Sequence, residues 1–169
     1  MVSDYKEILS DSAKGMKRSA IRELLKLTQK PEIISFAGGL PAKESFPLEQ
    51  LQEICAEVIA TDGAAACQYG STEGVPELLE ILAQRYRDQG LSYVTKENIT
   101  IITSSQQGLD TVGKIFLNRG DKYICELPSY LGALGAFNSY GGVGVGIPQD
   151  EQGMSAVELE KTLAEMKAK

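Results

Sequence analysis

The stretch Asn98 to Phe116, NITIITSSQQGLDTVGKIF, constrains this chain more than any other. Residues Ile99 to Thr103 are β-rich, two hydroxyls follow at Ser104 and Ser105, and Leu109, Val112 and Phe116 then recur at helical spacing. The pattern predicts a strand, a turn and a helix. A helix starting there aims unbonded backbone N–H groups and the positive end of its dipole at the turn. Ser105 is the expected cap, and the turn becomes a seat for an anion such as phosphate.

The elements around that stretch follow from the same logic. Ser19 is placed to cap a helix carrying Ile21, Leu24 and Leu25 on one face, with Arg22 off that face and Pro31 ending it. Ile33 to Phe36 is a short extended run broken at Ala37-Gly38-Gly39-Leu40-Pro41, which serves either as a simple turn or as backbone free to approach a ligand. Pro47 suits a first helical turn, and Leu48, Leu51, Ile54, Cys55, Val58 and Ile59 predict a buried stripe running to Gly63. The loop Cys67 to Gly74 holds one aromatic residue, Tyr69, expected to pack as a lid. Pro76 then opens a helix that should bury Leu78, Leu79, Leu82 and Tyr86 and stop at Gly90.

Beyond Phe116, Asn118 to Asp121 is a turn, Lys122 to Glu126 a strand, and LGALGAFNSY a small-residue helix closed by Gly141. Gly142 to Ile147 is a third strand and Gln149 to Gly153 a turn. Ser155 and Glu158 form a capping box for a last helix with Val157, Leu159, Leu163 and Met166. From Ile99 onward the expected order is β-α-β-α-β-α, which implies an α/β fold with a parallel sheet flanked by helices. The glycines of Gly142-Val143-Gly144-Val145-Gly146 lie inside a predicted strand and do not open a helix, so close packing explains them better than a dinucleotide loop. Arg119-Gly120-Asp121 is a plain turn in a chain with no secretory pattern.

Composition narrows the function. A formal net charge of −6 with no long basic run leaves nucleic acid and anionic membrane without an electrostatic handle. The start, MVSDYKEILSDSAK, lacks a basic segment followed by an apolar core, and a cytoplasmic protein is expected. Cys55, Cys67 and Cys125 are too scattered for a disulfide framework or thiolate cluster and are expected to be buried free thiols. The absence of histidine rules out Ser/His/Asp and Cys/His nucleophile systems within the chain, so no metal site of the histidine type is expected.

Four segments, SFAGGLP at Ser35 to Pro41, QYGSTEG at Gln68 to Gly74, TSSQQGLD at Thr103 to Asp110 and ELPSYLGAL at Glu126 to Leu134, resemble the N-terminal half of class I aminotransferases in order and separation. These are fold-type I enzymes that use pyridoxal 5′-phosphate, and the likeness is greatest to the branch containing 2-aminoadipate and kynurenine aminotransferases. The resemblance runs from about Arg18 to the end of the chain. It implies an N-terminal arm and small-domain segment over residues 1–41 and the first half of the cofactor-binding large domain over 42–169.

By the same resemblance, Ser105 and Gln106, with Ser104 beside them, match the residues that cup the cofactor phosphate, and Tyr130 matches the aromatic residue stacked on its ring. Tyr69 resembles the tyrosine that reaches the cofactor of the neighbouring subunit in the family's homodimers. Gly39 matches the loop whose backbone approaches the substrate carboxylate, and Arg22 resembles the residue that receives a side-chain carboxylate. Ser104 departs from the family's usual glycine, and Arg119 from its usual proline. None of the lysines lies in a motif matching the one that carries the cofactor. The resemblance therefore implies the N-terminal part of an enzyme that moves an amino group between an amino acid and a 2-oxo acid, with this chain alone inactive. Two other classes remain open. One is a phosphate- or cofactor-binding fragment without catalysis; the other is the aminotransferase-like domain of a transcription regulator.

Overall fold

The computed structural model describes residues 5–15, 32–34, 39 and 41–167. The predicted helix after Ser19, with Arg22, and the segments 35–38 and Leu40 lie outside the described residues. In chain order the helices and strands are α1 (Asp11–Gly15), α2 (Leu48–Ala66), α3 (Pro76–Asp88), α4 (Ser105–Phe116), β1 (Lys122–Leu127), α5 (Leu131–Ser139), β2 (Val143–Asp150), β3 (Gly153–Met154) and α6 (Ala156–Lys167). Short 3₁₀ turns occupy Tyr5–Ile8, Lys43–Ser45 and Lys96–Asn98. Two compact units result, Arg18–Ile101 and Met1–Lys17 with Ile102–Lys169.

In the Arg18–Ile101 unit, α2 follows Pro47 and is kinked at Asp62, whose φ of −139° leaves the helical region. The helix resumes past Gly63 and ends at Ala66, three residues beyond the expected stop. Its apolar stripe is not buried: Leu48 is 67% exposed, and Leu51, Ile54, Val58 and Ile59 are exposed with it. Periodicity identifies an apolar face but not what lies against it. Helix α3 starts with Pro76 at its first position and is followed by Gly90 at φ +94°, as its punctuation predicts. Leu79 and Ala83 are its buried residues, Leu82 is half-buried, and Leu78 and Tyr86 are exposed, so the core face is narrower than expected. Arg87 braces this unit by donating to the Val94 carbonyl at 3.0 Å and pairing with Glu80 at 2.8 Å.

The second unit holds the sheet. β1 and β2 pair in parallel from Lys122 against Val143 to Leu127 against Pro148, the crossover between them being α5. The predicted strand at Ile99 to Thr103 does not join them. Ile99 is extended (φ −121°, ψ 136°), but the run has no ladder partner among the described residues, and extended backbone without a neighbour is not a strand. The expected turn at Gln149 to Gly153 is instead a short hairpin: β2 continues to Asp150 and β3 returns antiparallel, Gln149 facing Met154. The sheet is thus two parallel strands and one brief antiparallel one. Ser155 caps α6 by accepting the Glu158 N–H at 3.4 Å, which is one half of the predicted capping box.

Helices α5 and α6 both pack on β2 in this unit. Ile147 is fully buried and Ala136 nearly so. Tyr123 and Phe137 meet edge to face at 5.0 Å, and a Cβ at Gly144 would lie 2.9 Å from the Tyr123 hydroxyl. Close packing therefore accounts for the glycines of β2, as expected. Helix α4 packs on α5 through buried Gly113, with Leu109 half-buried. Val112 and Phe116, the other apolar residues at helical spacing, are exposed, Phe116 by 72%. The turn at Asn118 to Asp121 forms as predicted, the Asn118 N–H donating to Asp121 Oδ2 at 2.7 Å and Gly120 taking φ +90°. Cys55 and Cys67 are exposed free thiols and Cys125 is half-buried, which corrects the expectation of burial.

Candidate functional site

The site is built from the first turns of two adjacent helices. Ser104, extended at φ −167° and ψ 171°, is the N-cap of α4, and Ser105 is its first helical residue. The expected cap at Ser105 is displaced by one position because the Ser104 carbonyl accepts the first helical bonds, from Gln107 at 3.1 Å and Gly108 at 3.4 Å. The N–H groups of Ser105 and Gln106 have no backbone acceptor among the described residues, and Ser104 makes no side-chain capping bond. Two amides at the positive end of a 12-residue helix, with two hydroxyls beside them, are suited to an oxyanion.

Gln107 closes the turn in a way the sequence reading missed. Its Oε1 accepts the Thr103 N–H at 2.6 Å. The signal was present, since Ser104 and Gln107 have the spacing of a capping box, but the glutamine reaches one residue further back than the cap.

Gln106 points to the second helix. Its Nε2 donates to the Gly132 carbonyl at 3.3 Å, in the first turn of α5. Tyr130 is the N-cap of α5, its carbonyl accepting from Ala133 at 3.1 Å and Leu134 at 3.2 Å, while its side chain is 65% exposed. The chain thus brings Ser104, Ser105, Gln106 and Tyr130 to neighbouring helix starts. Further along, the Tyr140 hydroxyl donates to Asp110 Oδ2 at 3.0 Å and braces α5 against α4. Burial, reinforced by the bond to Asp110 and its charge, raises the Tyr140 hydroxyl above its ordinary range, so this brace keeps its proton throughout the neutral range.

Tyr69 and Gly39 belong to the Arg18–Ile101 unit. The Tyr69 side chain is 99% exposed, so it is not the packed lid expected of a loop tyrosine. Gly39 has φ +59° and open space where a Cβ would stand. Arg22 lies outside the described residues. Among the described residues no group of His, Cys, Asp or Glu is arranged to hold a metal ion, and no helix is long and apolar enough to cross a membrane.

Residues 31–169 match the family model for aminotransferase class I and II. The chain is a class I and II aminotransferase sequence. Over 163 residues it is 45% identical to aromatic-amino-acid aminotransferase 1 of Thermococcus litoralis, covering 96% of this chain and 39% of that protein. It is 42% identical to the 2-aminoadipate transaminase of Thermus thermophilus, with 94% and 38% covered. Among solved aminotransferases, an archaeal alanine:glyoxylate aminotransferase superposes with a TM-score of 0.89 at 34% identity, covering 98% of this chain and 42% of that one. The α-aminoadipate aminotransferase LysN of Thermus thermophilus, complexed with N-(5′-phosphopyridoxyl)-L-leucine, gives 0.82 at 39% identity, covering 95% and 39%. This aminotransferase chain therefore spans about two fifths of the length of the relatives it matches, and its α/β architecture is a partial fold-type I domain.

Proposed function

We propose that this chain supplies the phosphate seat and one aromatic wall of a pyridoxal 5′-phosphate site in an aminotransferase that moves an amino group between an amino acid and a 2-oxo acid. The observation that carries this reading is the pair of amides at Ser105 and Gln106 that have no acceptor among the described residues, joined through Gln106 to the helix start that bears Tyr130. Ser105, Gln106 and the hydroxyl of Ser104 would hold the phosphate, and the exposed Tyr130 ring would lie against the pyridine. When bound, the cofactor supplies an electron sink for the substrate carbon. Tyr69 would serve the site of a second subunit in a homodimer, Gly39 and Arg22 would meet the substrate, and the protein would work in cytoplasmic amino-acid metabolism. In this reading residues 1–41 form an arm and small-domain segment and 42–169 the first half of the large domain.

The chain by itself is not a catalyst in this reading. Lys114 sits in the last turn of α4, about 13 Å along the helix axis from Ser105 at 1.5 Å per residue. Lys122 opens β1, whereas Tyr130 follows the other end of that strand, so neither lysine of the site-building elements lies at the cup. Purified chain mixed with an amino-acid donor, 2-oxoglutarate and cofactor is expected to give no turnover, and borohydride reduction is expected to fix no cofactor on a single lysine. Turnover in a preparation free of any full-length enzyme, or one lysine labelled stoichiometrically, would overturn the inactivity.

A further inference from the structure

We propose that Gly132 is a positioning residue of this site: by lacking a side chain it sets where the Tyr130 ring and the Gln106 amide stand, an inference that rests on the cofactor reading above. A Cβ at position 132 would lie 2.5 Å from Tyr130 Cε1, 2.7 Å from Tyr130 Cζ and 2.8 Å from Gln106 Oε1. The space a methyl group would need is thus filled by two of the residues assigned to the cofactor. The same residue anchors Gln106 through its carbonyl, at 3.3 Å.

Local preference runs against glycine here. Gly132 is the second residue of α5 and does not take a positive φ, so alanine fits the backbone and is favoured in a helix by up to about 1 kcal/mol. The atoms a methyl would strike are the far ends of two side chains, and the Tyr130 ring is mostly in solvent, so both yield without disturbing the core. Gly132→Ala therefore moves the ring and the amide while leaving the fold intact. A residue that costs helix stability and whose nearest neighbours are site side chains is placed for the site.

The test compares the chain with its Gly132→Ala variant by thermal unfolding, by NMR of the Tyr130 ring and Gln106 side-chain amide without ligand, and by titration with pyridoxine 5′-phosphate and with inorganic phosphate. The variant is expected to melt at or above the parent's temperature and to shift both sets of resonances. It should bind pyridoxine 5′-phosphate about tenfold more weakly, the loss of one aromatic contact, while phosphate affinity changes less than about twofold because the backbone amides remain. In a Tyr130→Ala background the substitution should have little further effect on pyridoxine 5′-phosphate, since the ring it displaces is gone. Unmoved Tyr130 and Gln106 resonances would overturn the positioning role, as would equal losses for both ligands. If the parent binds neither ligand, the cofactor reading fails, and with it the role of Gly132 in the site, whatever the resonances do.

Discussion

Replacing Ile147 with alanine is expected to lower the unfolding free energy by about 2–5 kcal/mol, the range for removing a large buried aliphatic side chain. Ile147 lies in β2 opposite Glu126 and is fully buried, the largest such side chain among the described residues. Among the described residues of its unit the other buried apolar residue is Ala136 of α5, 5% exposed, so little neighbouring core can collapse into the space left behind. Denaturant unfolding followed by circular dichroism measures the loss. A change below about 1 kcal/mol would mean that the Ile147 side chain does not contribute to a packed core.

Gly113→Val is the second large effect, at about 1–3 kcal/mol from overpacking. A Cβ there would lie 2.9 Å from Tyr140 Cδ2 and 3.2 Å from Phe137 Cδ1. Neither ring is free to swing away, because Phe137 is packed on Tyr123 and the Tyr140 hydroxyl is bonded to Asp110. The strain should pass into the spacing of α4 and α5 and loosen the link between Gln106 and Gly132. We therefore expect a lower melting temperature together with a changed Gln106 side-chain resonance. This contrasts with Gly132→Ala, where the resonance moves and the melting temperature does not fall. Gly113→Val with parental stability would show that the two helices are not closely apposed.

What the sequence made legible was local. Pro76 and Gly90 bound α3, Gly141 closes α5 at φ +82°, and the β-rich runs at Lys122 and Val143 pair as the crossover rule requires. The start of α4 was legible to within one residue, because hydroxyls followed by helical periodicity mark a terminus without saying which serine carries the first carbonyl. Properties that depend on a partner were not legible. Among the described residues Ile99 to Thr103 has strand composition but no ladder partner, its Ile101 N–H donating to the Glu73 carbonyl at 2.7 Å, and the stripe of α2 has apolar spacing but lies exposed. On α4, small Gly113 makes the contact with α5, while Val112 and Phe116, which carried the helical spacing, are exposed. Close helix approach selects the residue with least bulk, which a hydrophobic pattern cannot express. The roles of Gln107 and Gly132 needed coordinates, since each depends on where another residue's side chain or carbonyl ends.

The central claim, that the start of α4 seats the cofactor phosphate, is tested most directly by titrating the ¹⁵N-labelled chain with pyridoxine 5′-phosphate and following every backbone amide. The account predicts saturable shifts that are largest at Ser105 and Gln106, with smaller ones at Gln107 and Gly132, and their loss when inorganic phosphate is present in excess. Saturable shifts centred elsewhere, or none at Ser105 and Gln106 at millimolar ligand, would contradict it.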